Sequence, residues 1–389
     1  MKLKLTVTVS FLICAILACE TNPYGKSPDW GNRMQELSKT LANLLPFVMS
    51  RDDFNKEKNL KFIDENVKNM MELAHAITVK SSEDSPEADP SIKSLAKNFE
   101  IDMAKAYDGL QTGHREYSRQ VLAMATNHCV ACHSRSQMGP KLESLSANID
   151  YQSLSPFVRA EVYASTRQFN LAIDEYNKII HVRENIVEIP FEVERALKKV
   201  LALEVRVFND PKKALLLMND FLSQTDLPHF LRREATIWRD DLMAWEKENH
   251  SKKMNKIDYK KNIEKLILSA QLKNTSGERD EPFINYLRAT ALGHEYLNKF
   301  KSDAMYSEIL LNMGICYESL QDLGYWTLSE DYYKQCIRET PHTDIALRCY
   351  NRLEQSIYLG YTGSAGTRLP PDIRTELKSF KELASIVPR

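Results

Sequence analysis

The sequence contains little glycine and little proline. Among 389 residues there are only 12 Gly and 15 Pro, which disfavours an all-β protein built on tight turns and a glycine-rich nucleotide-binding fold. An excess of charge of either sign is also missing, since 52 Lys and Arg oppose 53 Asp and Glu. This balance excludes a strongly basic nucleic-acid-binding protein, so no nucleic-acid partner is expected.

Cysteine is scarce as well, because seven residues are too few for a disulfide-dense scaffold. The remaining composition, with 43% hydrophobic and 27% charged residues, is ordinary for a globular protein. The length allows two or three domains. With turn-forming residues rare, the sequence predicts an all-α protein.

The first residues, MKLKLTVTVSFLICAILAC, have the features of an export signal. Lys2 and Lys4 form a basic segment, and residues 5–17 form an apolar run that is short for a permanent membrane anchor. The sequence ILAC that ends at Cys19 resembles a bacterial lipobox, which implies cleavage of a signal peptide at residues 1–18 and lipidation of Cys19. Secretion without lipid and an uncleaved anchor are the alternatives.

The expected location is the periplasmic side of a bacterial cell envelope. Acyl chains on Cys19 would anchor the protein stably to the membrane. Glu20 rather than Asp follows Cys19, which somewhat favours the outer membrane by resemblance to known sorting rules. Residues 19–30 then form a tether.

Four stretches with helical periodicity follow the tether, because apolar residues recur at every third or fourth position. Short connections between such helices predict an up-down four-helix bundle over residues 31–140. The segment 81–90 lacks the period, and we expect an exposed loop there. The apolar positions include Met34, Leu37, Leu41 and Val48, then Ile63, Val67, Ala74 and Ile77, then Leu95, Phe99, Met103, Ala106 and Leu110, and finally Tyr117, Val121, Ala125, Cys129 and Cys132.

From residue 153 to 389 the pattern changes to shorter helix pairs. Two stretches share small and aromatic residues at fixed offsets, namely Ala160, Tyr163, Ala172 and Tyr176 in the first and Gly314, Tyr317, Tyr333 and Pro341 in the second. Both stretches resemble a tetratricopeptide repeat. The resemblance implies stacked helix pairs in a tetratricopeptide-like α-solenoid that docks a protein partner. An irregular helical domain is the alternative.

The most specific motif is CVACH at residues 129–133. Two thiols three positions apart on a helix can form thioethers with both vinyl groups of one haem, which places His133 under the iron as the proximal ligand. A thioredoxin-like dithiol would need a βαβ setting, and a zinc site would need a second Cys or His pair. The sequence offers neither, so we expect one covalent haem c held by Cys129, Cys132 and His133.

The motif closes the fourth helix of the predicted bundle. This arrangement resembles the class II cytochromes c, the cytochrome c prime family, and the resemblance covers the bundle alone. It implies a haem enclosed by four helices. Many members of that family leave one face of the iron open to a small gas molecule.

Several residues are candidates for the distal side of the haem. In an up-down bundle the C-terminal end of the fourth helix faces the N-terminal end of the first, where Met34 and Leu37 lie. Met34 would complete a six-coordinate iron, whereas Leu37 would leave an open face. Met71 and His75, near the end of the second helix, are further candidates. His128 is expected to face solvent, and modulation of access to the haem is the alternative.

These features predict an envelope-anchored c-type cytochrome that transfers electrons to or from a redox partner protein. The haem does the chemistry, so the protein is expected to be an electron carrier rather than an enzyme. An oxidase or peroxidase is a weaker hypothesis because no distal acid–base pair is visible. The alternatives are a haem-based sensor or binder of a diatomic gas, and a repeat scaffold for envelope assembly.

Three cysteines of the mature chain remain without a role, namely Cys316, Cys336 and Cys349. Cys336 and Cys349 occupy positions at which successive helices of the repeat region touch. In an oxidising compartment this placement predicts a disulfide between them. Buried free thiols that pack as small apolar residues are the alternative.

Overall fold

A computed structural model describes most of the chain. It covers residues 28–83, 89–135, 151–248, 254–274, 282–300, 303–324, 327–364 and 366–386. The predicted signal peptide, Cys19 and most of the tether lie outside these residues. Beside its helices, the described part has a single pair of two-residue strands, Thr362–Gly363 and Gly366–Thr367, so the prediction of an all-α fold is confirmed.

The first six helices form a bundle in which α1, α3, α4 and α5 pack on one another. The first helix begins at Pro28, two residues before the predicted end of the tether. The short α2 is capped by Ser50, whose hydroxyl accepts a hydrogen bond from the backbone N–H of Asp53. The helices are α1 (Pro28–Met49), α2 (Arg51–Asn55), α3 (Glu57–Glu83), α4 (Pro90–Gln111), α5 (Arg115–Ala123) and α6 (Ala125–His133).

The apolar stripes of α1, α3 and α4 form the core of this bundle, as the sequence predicts. Each fully buried aliphatic or aromatic side chain stabilises the fold by about 1.5–3 kcal/mol relative to exposure. Burial of these apolar side chains therefore determines which face of each helix points inward. The buried residues include Leu37, Leu41, Leu44, Leu45, Val48, Ile63, Val67, Met70, Ala74, Ile77, Phe99, Met103, Ala106 and Leu110.

The predicted fourth helix is wrong in one respect, because it is two helices. They are interrupted at Met124, which lies between the end of α5 and the start of α6. Tyr117, predicted to be in the core, is 51% exposed, and the buried face of α5 consists of Ser118, Val121 and Leu122. Beyond the interruption, α6 packs on both α4 and α7.

The second region consists of helices that pack mainly on their neighbours in sequence, which is how paired-helix repeats build a core. Helix α10 continues into a π-helical segment at Glu204–Phe208. No helix in the described ranges has the length and apolarity that crossing a membrane requires. The helices are α7 (Pro156–Ser165), α8 (Phe169–Ile180), α9 (Arg183–Glu188), α10 (Pro190–Leu203), α11 (Pro211–Ser223), α12 (His229–Glu246), α13 (Lys256–Asn274), α14 (Phe283–Lys299), α15 (Tyr306–Glu318), α16 (Leu328–Glu339), α17 (Asp344–Gly360) and α18 (Pro371–Ala384).

Gly314 lets α15 and α16 approach closely. A Cβ atom at this position would overlap the ring of Tyr333 on α16. A larger side chain would therefore push the two helices apart. The contact joins two of the residues on which the resemblance to a tetratricopeptide repeat rests.

The two regions have separate cores that meet along α4 and α6. Leu95, Val130 and Ala131, all from the first region, belong to the core of the second. Leu154 and Val162, from the second region, belong to the core of the bundle. Each region therefore completes the core of the other.

The sulfur atoms of Cys336 on α16 and Cys349 on α17 lie at bonding distance, and their Cα atoms are 6.3 Å apart. This Cα separation falls within the usual disulfide range of about 4.4–6.8 Å. Cys316 is a buried free thiol. The geometry therefore permits the bridge that the sequence predicts.

We predict that alkylation without reductant, followed by peptide mapping, finds Cys316 alkylated and recovers Cys336 and Cys349 as one linked pair. A bridge that closes a loop of ~15 residues stabilises a protein by about 3 kcal/mol. Replacing Cys336 and Cys349 together with alanine should therefore lower the free energy of unfolding by about 2–4 kcal/mol in a urea titration. The parent in reductant is the control and should lose a similar amount. Alkylation of all three cysteines without reductant would contradict the prediction.

Candidate functional site

An apolar cavity lies where α1, α3, α4, α6 and α7 meet. The space between these helices, counted together with its open mouth, is about 680 Å³. Its apolar lining residues include Leu41, Ile77, Ile92, Leu95, Ala96 and Phe99. An apolar lining of this kind keeps water away from a bound group.

The residues of the CVACH motif that are predicted to hold haem all line this cavity. Cys129, Cys132 and His133 come from α6, and both cysteines are half-buried free thiols. Met34 and Leu37 from the N-terminal half of α1 line the same cavity. The bundle thus brings together the motif and the two distal candidates that the antiparallel arrangement predicts.

The other two distal candidates are placed elsewhere. The cavity lining formed by the described residues contains neither Met71 nor His75. Met71 packs against the bundle core. The side chain of His75 is 66% exposed, and its Nδ1 lies 2.7 Å from Oε1 of Glu100. Met34 and Leu37 are the distal candidates that the geometry favours.

Within the described part of the chain, one ring nitrogen of His133 has a hydrogen-bond partner and the other has none. Its Nδ1 lies 2.5 Å from the backbone oxygen of Ser165, and because a carbonyl can only accept, Nδ1–H donates. Burial lowers the pKa of His133 to about 4, so the imidazole is neutral near pH 7. A neutral imidazole with Nδ1 bound to a carbonyl presents the Nε2 lone pair, which is how histidine ligates metals.

The two motif thiols do not ionise readily. Burial raises the pKa of Cys129 to about 12 and also raises the pKa of Cys132. Redox dithiols of the thioredoxin kind need a lowered thiol pKa. The surroundings of this pair therefore do not favour a dithiol redox site.

The expectation that His128 faces solvent is wrong. Its side chain is only 20% exposed, and its Nε2 lies 2.9 Å from Oδ2 of Asp102 on α4. Its ring lines the cavity and lies beside Phe99, with 5.8 Å between the ring centroids. The hydrogen bond from His128 is the main reason that the pKa of Asp102 is lowered.

A buried polar network lies behind α6. Arg135, two residues after His133, contacts Asp89, the N-cap residue of α4. The hydroxyl of Tyr332 donates to Asp89 over 2.9 Å, and His294 contacts the other carboxylate oxygen. Burial acts to raise the pKa of Asp89. The charge that His294 carries once acid protonates it, together with the charge of Arg135, outweighs burial and holds that pKa well below its usual range.

The expectation of an exposed loop at 81–90 is wrong at both ends, because α3 continues to Glu83, Asp89 is 2% exposed and α4 begins at Pro90. Residues 84–88 lie outside the described part of the chain. The lack of apolar period at 81–90 gave no sign of burial, because the partners of Asp89 come from helices far along the sequence. The dipeptide Asp89-Pro90 does carry one local signal. Asp at the N-cap followed by Pro at the first helical position is typical of a helix start.

His294 is neutral in this network. Its Nε2 lies 2.7 Å from the hydroxyl oxygen of Tyr317, and Arg206 donates to that same oxygen over 2.8 Å. Because an ionised carboxylate can only accept, Nδ1–H donates to Asp89, and in a neutral ring Nε2 then accepts from the Tyr317 hydroxyl. Burial lowers the pKa of His294 to about 4.

We predict that the contribution of His294 to the free energy of unfolding falls as the pH is lowered from about 6.5 to 4. The pKa of His294 is about 4 in the folded protein against an ordinary value of 6.5, so the unfolded chain binds the proton first and acid favours unfolding. His294→Gln should reduce this slope by up to about 1.4 kcal/mol per pH unit, measured by urea unfolding at each pH.

His342→Gln is the matched control for this experiment, because His342 is exposed. The control should keep the slope of the parent. Equal slopes in the parent and in His294→Gln would contradict the assignment of a neutral, buried His294.

Within the described residues, no group of three His, Cys, Asp or Glu side chains could hold a metal ion. A haem iron needs no such group, because the porphyrin supplies most of its ligands and the protein supplies axial ones such as His or Met. Two thiols and a neutral histidine on the wall of an apolar cavity fit a covalently attached haem.

Comparisons with known proteins do not add a family. No protein-family model matches the sequence, and neither a curated protein nor a solved structure matches the chain. The function is therefore argued from the residues of the cavity.

Proposed function

We propose that the protein is a c-type cytochrome that carries electrons. The observation that supports this most is the convergence of Cys129, Cys132, His133 and Met34 on one apolar cavity. Thioether bonds from the two cysteines would hold one haem, and Nε2 of His133 would be its proximal ligand. The haem, when bound, supplies a reversible one-electron couple.

The chain's own residues would set the properties of that haem. Leu41, Ile77 and Phe99 line the cavity and would exclude water, which changes the relative stability of the two iron charge states. The carbonyl of Ser165 holds Nδ1–H of His133. Such a hydrogen bond fixes the orientation of the ring and raises the basicity of the ligand.

Met34 is the proposed distal ligand. It lies on the cavity wall and packs against the bundle core while staying only partly buried. Its thioether opposite His133 would give a six-coordinate iron of raised potential. A closed coordination sphere of this kind suits electron transfer.

Binding of a diatomic gas is the second candidate function. It is favoured by Leu37, which lines the same cavity and is 7% exposed. If Leu37 rather than Met34 covers the distal side, one coordination position stays open. The resemblance to the class II cytochromes c is consistent with either outcome.

We propose that the remaining parts of the chain give this cytochrome its place and its partners. Cys19, outside the described residues, would carry a lipid anchor on the periplasmic side of a bacterial envelope. The helices from α7 onward would dock a protein partner, because paired helices present extended surfaces. The redox partner is a second protein whose identity the site does not specify.

Covalent attachment is the first test of the proposed function. The exported protein should retain haem in a denaturing gel that is stained for haem peroxidase activity. Replacing Cys129 and Cys132 together with alanine should abolish the stain, because both thioether bonds are lost. Cys316→Ala is the matched control and should leave the stain unchanged, since Cys316 lies away from the cavity lining. Extraction of haem from the parent into acidified organic solvent would contradict covalent attachment.

The distal ligand is tested by Met34→Leu. Leucine has a similar volume but cannot ligate iron, so a low-spin spectrum should become high-spin and the reduced protein should bind carbon monoxide. Met103→Leu, a change in the bundle core, should leave the spectrum of the parent unaltered. A parent that is already high-spin, or a Met34→Leu spectrum that is unchanged, excludes Met34 and favours the gas-binding function.

A further inference from the structure

The turn after α7 has a defined hydrogen-bond pattern. The backbone N–H of Gln168 donates to the carbonyl of Tyr163 over 2.8 Å, and the N–H of Arg167 donates to that of Ala164 over 3.1 Å. Arg167 has φ of 62°. These two bonds and one left-handed residue make a Schellman motif, which ends many helices.

This motif explains why a carbonyl is available to His133. The two Schellman bonds use the carbonyls of Tyr163 and Ala164 and do not use that of Ser165. A helix end leaves its last carbonyls without intrahelical donors. The N–H at Nδ1 of His133 donates a hydrogen bond to the Ser165 carbonyl over 2.5 Å. The end of α7 therefore supplies the acceptor that orients this ring.

Arg167 stands where glycine is usual. The left-handed conformation is unfavourable for a residue with a Cβ atom, so the arginine side chain needs another reason to be there. It is 8% exposed, and its Nη1 donates to the backbone oxygen of His133 over 3.0 Å. Its guanidinium lies 5.4 Å from the centre of the Phe169 ring.

We propose that Arg167 is a positioning residue for His133 and that the turn between α7 and α8 is part of the haem site. This inference rests on the proposed function. Ser165 holds the ring of His133, and Arg167 holds its backbone at the end of α6. The orientation of the proximal ligand is thus set by the second region and not by the bundle that carries the motif.

The substitution Arg167→Gly distinguishes the role of the side chain from the role of the turn. Glycine adopts a positive φ without strain, so the turn and the thermal stability should be kept while the bond to His133 is lost. The matched control is His342→Gly, because His342 has φ of 61° in the loop between α16 and α17. Both variants are made in the full haem-containing chain, and haem content per chain is measured in each.

The readout is the electron paramagnetic resonance spectrum of the ferric protein, whose g values report the orientation of the axial imidazole. The parent and His342→Gly should each give one narrow set of g values. Arg167→Gly should give a broadened or split set at the same haem content, because the ring of His133 samples more than one orientation.

Two results would overturn this inference alone. One is an unchanged, narrow spectrum in Arg167→Gly at full haem content. The other is the same broadening in His342→Gly, which would show a general loosening and no specific role for Arg167. A parent without covalent haem would overturn the proposed function and this inference together.

Discussion

The carboxylate of Asp89 joins helices that are far apart in the sequence. It caps α4, contacts Arg135 just after α6, and contacts His294 on α14 and Tyr332 on α16. Buried charges lose their hydration, so such a cluster adds little net stability while it is complete. Removing one partner leaves the others uncompensated and typically costs about 3–5 kcal/mol. Asp89 therefore favours one particular packing of the bundle on the second region.

That packing determines where the cavity lies. Arg135 contacts Asp89 and Ser91 at the start of α4, and Asp89 in turn contacts His294 on α14. His133 is held by α7 through Ser165. The end of α6 is consequently fixed from two sides. A haem bound at this place would be enclosed by the first region and oriented by the second.

Much of the bundle could be predicted from the sequence because the relevant information is local. Apolar residues at helical spacing predict α1, α3 and α4 correctly, since each turn of a half-buried helix records which side faces the core. The CVACH spacing is local too, and Cys129, Cys132 and His133 do line a cavity. The all-α class follows from the same periodicity.

The features that sequence reasoning missed depend on contacts over long distances in the chain. Asp89 contacts His294, which lies 205 positions away. No residue near Asp89 in the sequence indicates that this partner exists. His128 was missed because Asp102, its partner, lies on another helix. The role of the Ser165 carbonyl likewise arises only when α6 and α7 meet. Helical periodicity in the sequence indicates which side of a helix is buried, but it does not indicate which polar groups form hydrogen bonds or ion pairs.

The proposal that Cys129 and Cys132 hold one covalent haem can be tested on the intact protein. The measurement is the intact mass of the purified, exported protein under denaturing conditions, followed by mapping of the peptide that contains residues 129–133. We expect a mass that exceeds the processed polypeptide and its lipid by one haem, with the addition located on that peptide. A mass that polypeptide and lipid explain completely, with both thiols of the peptide free, would contradict it.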